Sequence, residues 1–215
     1  MRAVWKAAPT VLVKGDMMPS CMIHLHAAQL LRGGRGVLFC VGAVAPDAID
    51  DWRAKDRTHL RDVPDREAAL RKIARATDPD DDFAEGALMH LYADWLWDKD
   101  QLERYWACLG GRPEGGDWVP AYRNQISLAS GWIYHHSPWT RALWEELLAL
   151  PPELYGPLPG MEKQDIRAYL TRNFHWHEAH PGPPSAFYPP EEVEAFVRAV
   201  AEGYPTWRAI YTGMP

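Results

Sequence analysis

The 215-residue sequence is short of several features, and each shortage narrows what the chain can be. It has only three cysteines, Cys21, Cys40 and Cys108, which form no C-x-x-C pair and cannot all pair with one another. Each is expected to pack as a small buried hydrophobe in a reducing compartment. No apolar run is long enough to span a membrane. Residues 1–17, MRAVWKAAPTVLVKGDM, hold only short apolar stretches and no clear A-x-A site, so they do not read as a signal peptide. Basic runs are also missing. With a net charge of −6, neither nucleic acid nor an anionic membrane is expected as a standing partner. A small phosphorylated substrate stays open, because a bound metal ion brings its own positive charge. These absences together predict a cytoplasmic protein.

What is present suits one domain with a sizeable core: 47% of residues are hydrophobic and 24% charged. Residues 1–17 look unlike the rest of the chain and are expected to be an extension, the true start being Met1, Met17 or Met18. Residues 18–215 then form the single domain. Helices are predicted over 21–31, capped by Ser20, and over 65–75, capped by Asp65. The short apolar segment 36–44 reads as a buried helix, since nothing nearby pairs with it as a strand. Residues 47–64 read as polar and irregular, with room for one helical turn. A long central helix is expected over 82–109, after an acidic loop and cap at 77–82. Further helices are expected at 120–134, at 138–149 with Pro138 in the first turn, at 162–177 and at 190–202. GGRPEGGD and PPELYGPLPG are loops, and PGPPSAFYPP is a proline-rich connector. With no repeat, hairpin or βαβ alternation, the class is all-α, a single-domain multi-helix bundle.

The central helix carries the first chemical signal, in ALMHLYADWLWD at 87–98. Asp94 lies about 40° around the helix from His90, one turn on, with Phe83, Gly86 and Trp97 on the same side. Leu88, Leu91 and Trp95 cover a second side, and Met89 and Leu96 a third. A segment apolar nearly all round is buried. A carboxylate buried without a partner costs on the order of several kcal/mol, so Asp94 needs a counter-charge. His and Asp at i, i+4 can bind one metal ion from one face, and Gly86 leaves space one turn earlier. Taken alone, the pair reads more simply as a His–Asp hydrogen bond in a core.

Three further pieces change that reading. His24 lies in PSCMIHLHAAQLL, where His26 must face elsewhere. Asp47 follows Pro46 in GAVAPDAID, so its carboxylate projects from a fixed turn. His59 lies in KDRTHLRD. Three imidazoles and two carboxylates form an N/O ligand set that suits zinc, and less specifically iron or manganese. Lys55, Arg57 and Arg61 flank His59. They read either as contacts for phosphate oxygens or as a solvated loop paired with Asp50, Asp51, Asp56 and Asp62. Asp98 is expected to pair with Lys99 or Arg104. Of the tryptophans, Trp52, Trp95, Trp97, Trp118, Trp132 and Trp139 read mainly as core, with a substrate groove as the other reading. His135-His136 and His175-Trp176-His177 read as ordinary histidines, since adjacent helical positions diverge by about 100°.

The ordered set I-H-L, A-P-D-A, T-H-L-R and H-L-x-x-D-x-x-W, over residues 18–98, resembles the zinc-dependent phospholipase C family, especially its small bacterial branch. The resemblance implies an all-helical fold like that of phospholipase C and P1 nuclease, built around zinc. It implies that Asp47, His59, His90 and Asp94 hold one ion, that Asp94 bridges to a second with His24, and that Asp47 accepts a proton in catalysis. A third ion is not expected, because DKDQLERYWACLGGRPEGGD contains no histidine. The function expected is hydrolysis of a phosphate ester with one or two zinc ions, and Lys55 and Arg61 are candidates to touch the substrate. The alternatives are a helical protein with a structural zinc and a helical protein with no metal.

Overall fold

The computed structural model describes residues 20–212, apart from the side chain of Trp52. The expected extension at 1–17 and the choice among Met1, Met17 and Met18 lie outside the described residues. Among the described residues ten α-helices follow in chain order: α1 Cys21–Leu31, α2 Val37–Gly42, α3 Trp52–Thr58, α4 Arg66–Ala76, α5 Asp82–Trp97, α6 Glu103–Cys108, α7 Val119–His136, α8 Thr140–Ala149, α9 Lys163–Ala179 and α10 Pro190–Ala209. A 3-10 turn, Ala45–Ala48, joins α2 to α3. Among the described residues there is no strand, and the fold is all-α. No helix among them is long and apolar enough to cross a membrane.

α5 is the axis of the bundle. It is buried on nearly every side and touches α1, α2, α4 and α10. Its start is set by Asp81, whose side chain accepts the Ala84 N–H at 3.0 Å and fills one of the four orphan donors of the first turn. Asp65 does the same for α4. Ser20 occupies the corresponding place before α1, but its hydroxyl makes no cap bond.

The crossing of α2 over α5 depends on two glycines. A Cβ on Gly42 would lie 2.0 Å from the Phe83 carbonyl oxygen, and one on Gly86 would lie 2.1 Å from that of Phe39. Neither distance admits a side chain, so the two backbones touch directly. The space expected at Gly86, one turn before His90, is taken by the α2 backbone. α10 is fastened to the other side of α5 by a buried ion pair: Arg208 Nε donates to Glu85 Oε1 at 2.6 Å. Arg208 also donates to the carbonyls of Ala74 and Thr77, and Tyr204 donates to Glu85. Tyr204 and Arg208 flank Pro205 and explain why α10 runs to Ala209, past the end expected at 202.

Several expectations need correcting. The stretch read as irregular after Asp47 contains α3, two turns of helix rather than one. The long central helix is interrupted at Asp98–Leu102 by a π-helical segment, which shifts the register of the residues beyond it. Asp98 therefore meets Arg61, at 2.9 Å through both oxygens, and Arg66 at 2.6 Å, not Lys99 or Arg104. Arg104 pairs instead with Glu192. α8 begins at Thr140, two residues past Pro138. Cys21 and Cys40 are buried as expected, whereas Cys108 is exposed.

Candidate metal centre

Five side chains from four stretches of chain meet beside the α2–α5 crossing. His24 comes from α1, Asp47 from the 3-10 turn, His59 from the end of α3, and His90 and Asp94 from α5. Asp47 is set by Pro46, which fixes the turn, and by its own N–H bonded to the Val44 carbonyl. His59 caps α3. Leu60 N–H returns to the Arg57 carbonyl and Arg61 N–H to the Asp56 carbonyl, with Leu60 in the left-handed region at φ 58°. This is the Schellman arrangement, in which a residue of positive φ ends the helix, and it turns the His59 ring inward. The glycine crossing brings the Ala43 carbonyl to His90 Nδ1, 2.8 Å away.

Both of these rings are oriented by backbone. His90 Nδ1–H donates to the Ala43 carbonyl, and His59 Nδ1–H donates to the Lys55 carbonyl at 2.7 Å. A carbonyl only accepts, so in the neutral rings the proton sits on Nδ1 and Nε2 is a bare lone pair. Yet the two Nε2 atoms lie 3.0 Å apart. Protonating either ring is opposed by burial, which drives His59 down to about 3 and His90 well below its ordinary value of 6.5. Two acceptors thus face one another with no proton between them.

Two carboxylates complete the group. Asp47 Oδ1 lies 3.4 Å from His59 Nε2 and 3.9 Å from His90 Nε2. Asp94 Oδ2 lies 3.6 and 3.7 Å from the same two atoms. Ligand atoms at the corners of a zinc tetrahedron, with bonds near 2.0–2.1 Å, stand about 3.3 Å apart. The five edges that include an imidazole nitrogen run from 3.0 to 3.9 Å. Asp94 Oδ1 points the other way, to His24 Nε2 at 3.2 Å, and neither Asp94 oxygen takes part in a hydrogen bond. His24 stacks on His90 with ring centroids 3.9 Å apart and planes 20° apart. His24 and Asp94 Oδ1 face each other on the side of Asp94 away from the oxygen that meets His59 and His90. His24, His90 and Asp94, and Asp47, His59 and His90, are two buried groups that could hold a metal ion.

Lys55 and Tyr169 border the cluster. Lys55, 4% exposed, places Nζ 2.8 Å from Asp47 Oδ1. Burial pushes the Asp47 carboxyl up to about 7, with His24 opposing and Asp94 adding to the rise. Burial also drives the Lys55 ammonium down to about 7, against the pull of Asp94. Tyr169 of α9 offers its hydroxyl to Asp47 Oδ2 at 3.5 Å. Sequence reasoning missed Tyr169 altogether, because it lies over a hundred residues from Asp47 in a helix with no distinguishing motif. A cleft lined by Ala48, Ile49, Gly160, Met161, Asp165 and Arg172 opens beside the turn that carries Asp47.

Other candidates lie elsewhere. Arg61 is engaged by Asp98, and Arg57 is exposed. Asp50, expected to pair locally, meets Arg172 instead. His26 meets Glu194 at 3.3 Å, on the face away from the cluster. Trp97 is in the core, while Trp95, Trp118 and Trp139 pack at its edge; none of them lines the cleft. Trp132 stacks on His136, and His135 bonds the His177 carbonyl. His177 is bonded at both ring nitrogens, to Ser130 Oγ at 2.7 Å and to the Asn173 carbonyl at 2.6 Å. No protein-family model, curated protein or solved structure matches this chain.

Proposed function

We propose that the chain binds a divalent metal ion, zinc by its donor set, and uses it to hydrolyse a small phosphate ester. One observation carries the metal reading: two neutral imidazoles turn bare Nε2 atoms towards each other at 3.0 Å, with two carboxylates at tetrahedral spacing from both. A cation resolves that contact, and hydrogen bonding among these groups does not. The mixed N/O set suits zinc best and admits iron or manganese. His59, His90, Asp94 and Asp47 would hold the first ion, and His24 faces Asp94 where a second would bind.

A divalent ion bound there would stabilise charge at phosphorus and supply a nucleophile at neutral pH. Asp47 favours a catalytic centre over a purely structural one. Its Oδ1 is closer to Lys55 Nζ, at 2.8 Å, than to either imidazole nitrogen. A carboxylate shared in this way leaves metal coordination incomplete, as catalytic sites require and closed structural sites do not. Held between the Lys55 ammonium and the imidazoles, Asp47 Oδ1 suits the role of proton acceptor. The neighbouring cleft reaches Ala48 and Ile49, next to the residue that carries this carboxylate. The motif order shared with the zinc-dependent phospholipase C family, and the all-helical class, support the same reading.

A second reading, a structural zinc in a non-catalytic helical protein, is favoured by burial: His24, His59, His90 and Asp94 are 0% exposed. The two readings separate in one assay. Metal-loaded protein is tested on a panel of aryl phosphate mono- and diesters. The enzyme reading expects turnover that Asp47→Asn abolishes while metal is retained. The structural reading expects no turnover with any ester, and thermal stability that depends on the metal.

A further inference from the structure

The side chains at the first metal position are not equally well anchored. His90 and Asp94 stand on α5, the axis of the bundle, and Asp47 on a buried turn set by Pro46. His59 is different, because it ends α3. From Arg53 to Thr58 only Lys55 is buried, so this part of α3 has no apolar face to press onto the core. A helix this short is not stable by itself. The carbonyl that holds His59 Nδ1 belongs to Lys55, in the same helix, so it orients the ring within α3 and does not fix it against α5. A direct tie to α5 comes from Arg61.

His90, Asp94 and Asp98 fall at i, i+4 and i+8, a stripe about 12 Å long on α5 and its C-cap. His59 Nε2 faces the first two, 3.0 Å from His90 Nε2 and 3.6 Å from Asp94 Oδ2. Arg61, two residues on, takes the third: its Nε and Nη2 donate to Asp98 Oδ2 and Oδ1, both at 2.9 Å. A guanidinium fork on both carboxylate oxygens fixes direction as well as distance. The Arg61 backbone is held too, since its N–H donates to the Asp56 carbonyl at 2.8 Å and closes α3. Asp98, Arg61, the Schellman turn and the His59 ring thus form a loop that leaves α5 and returns to it at His90. Water reaches little of the Arg61–Asp98 pair, whose side chains are 16% and 18% exposed. Arg66, at the start of α4, donates to the same Asp98 Oδ2 at 2.6 Å, but its element carries none of the five clustered side chains.

We propose that Asp98 is a positioning residue for the metal centre: acting through Arg61, it holds the His59 imidazole at coordinating distance from His90 and Asp94. The inference rests on the metal reading above and adds to it a residue that does not itself touch the ion. Groups that orient a metal ligand from outside are typically worth about 10- to 100-fold in affinity. Loss of Arg66 leaves the Arg61 fork in place and serves as the control.

The test is the zinc dissociation constant of the full-length chain, stripped with chelator and titrated against a competing chelating dye, beside the melting temperature of the metal-free protein. Asp98→Asn removes one acceptor of the fork at nearly constant shape, and Arg61→Lys keeps the charge but loses the second bond. Each is expected to raise the Kd about 10- to 100-fold, and Arg66→Gln to leave it unchanged. All three are expected to lower the metal-free melting temperature, so a rise in Kd confined to the first two is not an effect of stability. An unchanged Kd in folded Asp98→Asn, or an equal rise in Arg66→Gln, overturns the inference and leaves the metal centre standing. No zinc in wild type overturns the metal reading and the inference with it. Should Asp98→Asn fail to fold by circular dichroism, Arg61→Lys against Arg66→Gln decides.

Discussion

Two buried histidine sites sit among the described residues, and they differ in one respect. Between α7 and α9, His177 has a partner at each nitrogen: the Asn173 carbonyl at Nδ1 and the Ser130 hydroxyl at Nε2. Beside α5, His59 and His90 are equally well held at Nδ1 but have only each other, 3.0 Å apart, at Nε2. Both sites are shut from water. The first is complete as protein. The second contains four polar atoms with no hydrogen bond, on His24 and Asp94, while Asp47 Oδ1 has the Lys55 ammonium at 2.8 Å. Buried polar atoms are nearly always satisfied, so a cluster of orphans marks a place where something other than protein belongs. A histidine's burial therefore says little about its role, and the account of its second nitrogen says much more.

The comparison breaks most directly on metal removal. Chelator should lower the melting temperature of wild type by about 8–16 °C. This estimate combines roughly 4 kcal/mol of linkage at a thousandfold excess over Kd with about 2–4 °C per kcal/mol for a chain of this size. His90→Ala should bind under a tenth of the wild-type metal and show no chelator effect. Calorimetry with and without chelator checks both.

Protonation sharpens it next. Burial holds His177 down to about 4, against 6.5 for the unfolded chain. Between those values the unfolded state binds more protons, so stability falls as pH drops from 6.5 towards 4 and is fully present above 6.5. The loss by pH 4 is about 3 kcal/mol. The stability difference between wild type and His177→Gln should shrink by that amount from pH 7 to pH 4 in denaturant unfolding. A difference that stays constant with pH contradicts a neutral, fully bonded His177.

The smallest effect is Ser130→Ala. It leaves His177 Nε2 without a donor and should cost about 1–3 kcal/mol. Metal content should not change, because the Ser130–His177 pair belongs to a different part of the bundle. A fall in bound metal would mean that the two histidine sites are coupled.

How far the sequence reveals this arrangement depends on the element. α5 is legible because apolar residues cover nearly all its sides, and Asp94 stands out as a carboxylate with nowhere to go. His24, Asp47 and His59 are legible only through the order of short motifs, since single histidines and aspartates carry no signal. α3 is hidden because DWRAKDRT has no apolar stripe; the helix is held by the Asp51 cap and by the His59 side chain bonding back to Lys55. Lys55 reads equally as a phosphate contact or as a solvated loop residue, since its burial depends on how α3 packs against the 3-10 turn. Asp98 defeats helical arithmetic because the π-helical segment beginning there breaks the 3.6-residue register. Tyr169 and the Ser130–His177 pair require knowing how α9 packs, which no local pattern records.

The most direct test of the central claim is anomalous diffraction above the zinc edge, from crystals of protein purified without chelator. The account predicts a peak about 2 Å from both His59 Nε2 and His90 Nε2, with Asp94 Oδ2 in its coordination shell. A map with no peak there, and the two imidazoles still 3.0 Å apart and bridged by a proton, would contradict it.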